Sequence, residues 1–212
     1  MKQNIKSIVA SLLASILLVG VGFHFVEPTL TGAQSATDNV IVTQAVTSGI
    51  SISDGADITM TPLTVTQNTA VGTASWTVVT NDSSGYSLTV HASTSPAMSG
   101  SFADYTPTVS ETPETWDVSN AVEFGFSARG TNVNTGTYGT DSDCIAGADV
   151  PSAALKWRDF DLTGSADQIA TVGAPTAIAG ATSSLCVASE QDTVFAASGS
   201  FTATVTGTAT AL

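Results

Sequence analysis

The chain has 212 residues, with 18 acidic against 5 basic side chains and a formal net charge of −13. A surface this acidic repels nucleic acid and anionic lipid, so phosphate-backbone binding is excluded and membrane contact is left to an apolar N-terminal stretch. Charged residues make up only 11% of the chain, and the abundant Thr, Ser, Ala, Gly and Val suit strands and turns rather than helices.

Lys2 and Lys6 precede an apolar run from Ile8 to Val26, the layout of a secretory signal and the predicted hydrophobic helix of this chain. The run is also close to the roughly 20 residues that span a bilayer. Ala33-Gln34-Ser35 would suit a signal peptidase. Residues 1–35 are therefore read as a signal peptide or an N-terminal membrane anchor, and residues 36–212 as a single exported domain, secreted or at the cell surface.

Strand signals follow in order. Val40–Val46 alternates, with Val40, Val42 and Val46 on one face; Ile50 and Ile52, then Ile58 and Met60, repeat the pattern. Residues 75–93, SWTVVTNDSSGYSLTVHAS, read as a hairpin with a turn at Asn81–Gly85. In that register Val78 faces Leu88, Trp76 faces Val90, and Ser75 faces His91 on the polar side. Val122–Ala128, Ala154–Phe160, Ser184–Ser189 and Gly199–Leu212 complete the set, the last with five threonines on one face. No segment after the leader has a helical period. Residues 93–118, with three prolines, are predicted to cross between sheets, and residues 130–152 to form a Gly/Asp/Asn-rich loop.

The chain has two cysteines, Cys144 and Cys186. In an oxidising compartment such a pair forms a disulfide, and neither a C-x-x-C spacing nor an adjacent histidine favours a metal. Chemistry elsewhere is sparse. Ser75 and His91 invite a hydrolase reading, but no G-x-S-x-G is present and a flat strand offers no oxyanion hole, so His91 is read as a surface strand residue and Trp76 as core. Asn81-Asp82-Ser83 fits a glycosylation sequon and equally well a turn.

Asp141, Asp143 and Asp149 share one loop, and Asp159 and Asp161 flank Phe160; hard oxygen ligands at such spacing could hold Ca²⁺, although the EF-hand pattern fails. No other cofactor is expected. Paired carboxylates could also serve a glycosidase, but Trp116 and Trp157 have strand-core explanations. Lys156 could form an isopeptide bond with an asparagine.

Two stretches, Trp76–Ser93 and Gly199–Leu212, resemble secreted bacterial fimbrial subunits of the spore-coat-U kind and, more loosely, WxL-type surface proteins. The tryptophans occur as WTV, WDV and WRD, never as W-x-L, and the cysteines lie late in the chain. The fimbrial resemblance implies that Asp38–Val46 could act as a donor strand completing a neighbour's sheet. The expected fold is an all-β antiparallel β-sandwich, immunoglobulin-like or jelly-roll-like. The expected function is structural or adhesive, without turnover, through protein partners including copies of itself; the alternative is a secreted module binding carbohydrate or Ca²⁺.

Overall fold

A computed structural model describes residues 38–117 and 122–212, so the leader reading at residues 1–35 lies outside it. Residues through Ala45 fall in a separate unit from Val46–Leu212. The described ones, from residue 38, are exposed and in no strand.

From Val46 onward the chain is mostly β. Its strands are β1 (Ile50–Ile52), β2 (Thr69–Thr80), β3 (Tyr86–Ala92), β4 (Ala103–Asp104), β5 (Val122–Gly130), β6 (Asp167–Val172), β7 (Ala181–Gln191) and β8 (Val205–Ala211). A one-turn helix, α1 (Thr135–Tyr138), capped by the Asn134 side chain, and a 3₁₀ turn at Thr163–Ser165 correct the expectation of no helix. Five strands form one sheet in the order β1-β2-β7-β5-β4, and three form another in the order β6-β3-β8. All neighbours are antiparallel except β4 and β5.

The sheets enclose a common apolar core. Trp76, Val78, Phe124, Phe126, Leu185 and Val187 come from the larger sheet, and Tyr86, Leu88, Val90, Ile169 and Ala170 from the smaller. Each fully buried Val, Leu or Phe is worth about 1.5–3 kcal/mol. A one-residue slip in β3 would exchange Leu88 and Val90 for Thr89 and His91, so the register is firmly held.

The predicted hairpin is not one. β2 pairs with β1 and β7, while β3 pairs with β6 and β8, so residues 81–85 carry the chain from one sheet to the other. The inward faces are as expected, because alternation specifies which side is buried, not which strand supplies the hydrogen bonds. The connector has its own anchors: Asn81 Oδ1 accepts from the Gly49 N–H at 2.7 Å, and Asn81 Nδ2 donates to the Thr47 carbonyl at 2.7 Å. Gly85 sits at φ 79°, where a side chain would strain the turn.

Three other expectations change. Val40–Val46 forms no strand. Ile58 and Met60 are in no strand either, but pack against the common core. Ala154–Phe160 is joined to its surroundings by single bridges, Glu114 with Trp157, Phe126 with Arg158 and Gly139 with Leu155, rather than by a continuous ladder.

A second core lies on the other face of the larger sheet, where Val71, Tyr105, Cys144, Leu155, Trp157, Cys186 and Ala188 pack with Trp116 and Ile145. Residues 103–117 and 139–157 supply its outer half. This cover explains why β5 is buried on both faces, Glu123 included.

Across the common core, Trp76 lies so close to β8 that a Cβ on Gly207 would stand 2.9 Å from its Cε2 and 3.0 Å from its Cζ2. Gly207→Val is therefore expected to cost about 1–3 kcal/mol through overpacking. Urea denaturation should show a lower midpoint with an unchanged slope, and an unaltered midpoint would contradict this placement of the indole.

Candidate functional site

The outer face of the larger sheet carries the disulfide and the loop it anchors. Cys144 and Cys186 are joined in a disulfide with a Cα–Cα distance of 5.5 Å, and both are fully buried. The bond ties the loop through residue 144 to the outer face of β7, the strand at the centre of the sheet.

The acidic residues of that loop serve the loop itself. The Asp141 carboxylate accepts from the Ser152 hydroxyl and, at 3.2 Å, from the Asp143 N–H. The Ser152 hydrogen bond, followed by those to the backbone, holds its carboxyl below the ordinary value. Asp143 Oδ1 accepts from the Ile145 N–H at 3.4 Å, and Asp149 occupies a left-handed conformation at φ 59°. Asp141, Asp143 and Asp149 are not gathered into a common ligand set. Among the described residues, the acidic group whose oxygens lie within 4.8 Å of one another is Glu111, Asp159 and Asp161.

That second group already holds a cation. Arg158 is 8% exposed, and its guanidinium reaches Glu111 and Asp167 at 2.5 Å each, Asp161 at 3.2 Å and Asp159 at 3.9 Å. Arg158 and Asp167 are buried, whereas Glu111 is exposed, so the pair with Asp167 matters most energetically. Burial pushes the Asp167 carboxyl up to about 7, with Arg158 pulling it the other way. Burial also raises Asp159 and Asp161.

The pH dependence follows from these directions. A carboxyl whose folded pKa exceeds its unfolded value keeps, in the native state, a proton that the unfolded chain has lost. Its stabilisation is complete below about 4 and is lost as pH rises through about 7. The melting temperature should accordingly be higher at pH 5 than at pH 8, and Asp167→Asn should flatten the difference. An equal or lower melting temperature at pH 5 would refute the assignment.

A groove of about 420 Å³ opens where this layer meets β7. It is lined by Asn68, Thr115, Trp116, Val150, Pro151 and Glu190, among others. Trp116 donates its indole N–H to Glu190 Oε2 at 2.6 Å, stacks on Tyr105 with ring centroids 4.6 Å apart, and meets Trp157 edge-on at 5.4 Å. Burial raises the Glu190 carboxyl, against the Trp116 hydrogen bond. Glu123 stands directly opposite Glu190 in the β5–β7 register.

The remaining candidates are dispersed. Ser75 Oγ shares a hydrogen bond with Ser184 Oγ at 2.8 Å in the larger sheet, whereas His91 is half-buried in the smaller sheet opposite Thr206, so Ser75 and His91 form no pair. Trp76 is core, as read from the sequence. Lys156 is exposed and donates to the Gly136 carbonyl at 3.3 Å, not the buried neighbourhood of an asparagine that an isopeptide bond needs. The groove escaped the sequence reading because Trp116 and Glu190 lie 74 positions apart. The one available hint was Glu190, the single charged residue of β7.

Comparison with protein-family models, curated proteins and solved structures finds no match to this chain. Among the described residues no helix is long and apolar enough to cross a membrane. The buried disulfide fits an oxidising environment.

Proposed function

We propose that this chain is a structural protein of a bacterial cell surface, exported by its N-terminal segment and either released or held by it, which associates with copies of itself or other surface proteins by strand addition. Its two sheets would make an immunoglobulin-like or jelly-roll-like sandwich of the fimbrial kind. The observation that carries the reading is the segment from residue 38 to Val46. Val40, Ile41, Val42 and Val46 are 83%, 89%, 87% and 79% exposed, in a stretch that has no strand partner among the described residues. Alternating β-branched residues with unpaired backbone are what an open sheet edge accepts. The smaller sheet ends on β6 and β8; the outer side of β6 is bridged by Val133 at Ala170, so β8 is the edge such a strand would join.

Val40, Val42 and Val46 would then enter a neighbour as donor-strand residues. Protein recovered from the exporting cells should sediment as concentration-dependent oligomers, and a Val40→Asp/Val42→Asp variant should remain monomeric. A wild-type chain that stays monomeric at its highest soluble concentration would remove the proposal.

A further inference from the structure

The groove beside Trp116 has the composition of a ligand site and no role in the strand-addition reading. Its aromatic element is fixed before any ligand arrives: the indole is stacked on Tyr105, wedged edge-on by Trp157 and tied by its N–H to Glu190. Pre-organised aromatic surface spares a ligand the cost of ordering it. The facing wall, Val150–Pro151, is equally constrained. Pro151 bridges to Ile145, the Ser152 N–H donates to the Cys144 carbonyl at 3.0 Å, and Cys144 is bonded to Cys186. Cys186 and Glu190 lie on the same face of β7, four residues apart. One strand thus carries both the anchor of the wall and the carboxylate of the floor.

The polar groups narrow the ligand class. Glu190 is the single ionisable side chain among the lining residues, joined by the Asn68 amide and the Thr115 hydroxyl. A carboxylate offers about four acceptor sites, of which the indole takes one. An anionic ligand would meet Glu190, the opposed Glu123 and a net charge of −13. Burial raises the Glu190 carboxyl, and with its Oε2 already taken by the indole N–H the carboxyl is placed to accept from a ligand hydroxyl. Apolar carbon on the indole and on Val150–Pro151, with amide, hydroxyl and carboxyl at the margin, matches the alternating C–H and O–H surface of a sugar ring. We propose that this groove is a binding subsite for a neutral saccharide.

The proposal is independent of assembly, and its test uses the full exported chain with oligomeric state measured in the same samples. ¹⁵N-labelled protein is titrated with neutral trisaccharides of glucose and of N-acetylglucosamine, and separately with trigalacturonic acid and trilysine, following the Trp116 indole N–H resonance. At least one neutral trisaccharide should shift that resonance saturably below about 10 mM, ten times a millimolar dissociation constant. Glu190→Gln should weaken binding about tenfold, the worth of one charge-assisted hydrogen bond, and exposed Asn68→Ala should weaken it without touching the core. The idea is overturned if neither neutral trisaccharide shifts the resonance. It is equally overturned if trilysine or trigalacturonic acid binds more tightly, or if both folded variants bind as wild type does.

Discussion

Arg158→Met is expected to destabilise the protein by roughly 3–5 kcal/mol at pH 8, the cost of leaving a buried carboxylate without its partner. Methionine fills much of the volume, so packing loss is minor; the damage comes from Asp167, 5% exposed, which loses its contact at 2.5 Å. Exposed Glu111 can turn to water, but Asp167 cannot. At pH 5 the Asp167 carboxyl is protonated in the native state, and the same substitution should cost distinctly less. Denaturant titrations of both proteins at the two pH values decide the matter. A loss independent of pH would mean that Arg158 contributes packing alone.

The second large effect concerns the disulfide. Replacing Cys144 and Cys186 together by alanine should remove about 4 kcal/mol, the chain-entropy value for a loop of this length, here a sequence separation of 42. The loss should appear at the same midpoint whether followed by Trp fluorescence or by far-ultraviolet circular dichroism if the outer layer and the sheets unfold together. An early fluorescence transition would instead show that the outer layer, which holds Trp116 and Trp157, detaches from a sheet pair that survives without it.

Much of the fold could be read from residue order alone. Period-2 alternation located β2, β3, β5, β7 and β8 and assigned Trp76, Val78, Leu88, Val90, Phe124 and Phe126 to the interior, because which side of a strand is apolar is a local property. Which strand lies beside which is not local. β2 and β3 are adjacent in sequence yet belong to different sheets, since Asn81 binds back to residues 47 and 49 and the connector opens instead of closing. β6 escaped notice for a different reason: a register irregularity at Leu88/Thr89 puts Ile169 and Ala170 both inside and breaks the alternation.

The polar sites were still less visible. Asp159 and Asp161 stood out as a pair, but their binding partner, Arg158, immediately precedes Asp159 in plain view, and Asp167 became important only through burial. Val40–Val46 carries a strand pattern without forming a strand, because alternation alone does not supply a hydrogen-bonding neighbour. The acidic loop attracted attention by its charge, yet Asp141 and Asp143 spend that charge on the loop's own donors.

The order of strands in the larger sheet has a consequence in time. β7 sits between β2 and β5 and pairs with both, while β8, the last strand, completes the smaller sheet against β3. A chain emerging from its N-terminus therefore has β2, β3 and β5 made long before β6, β7 and β8, and Cys144 waits for Cys186. Topology of this kind folds slowly and late. Neither sheet can close until residues 181–211 have been made, and until then the apolar faces of the earlier strands are open to wrong partners.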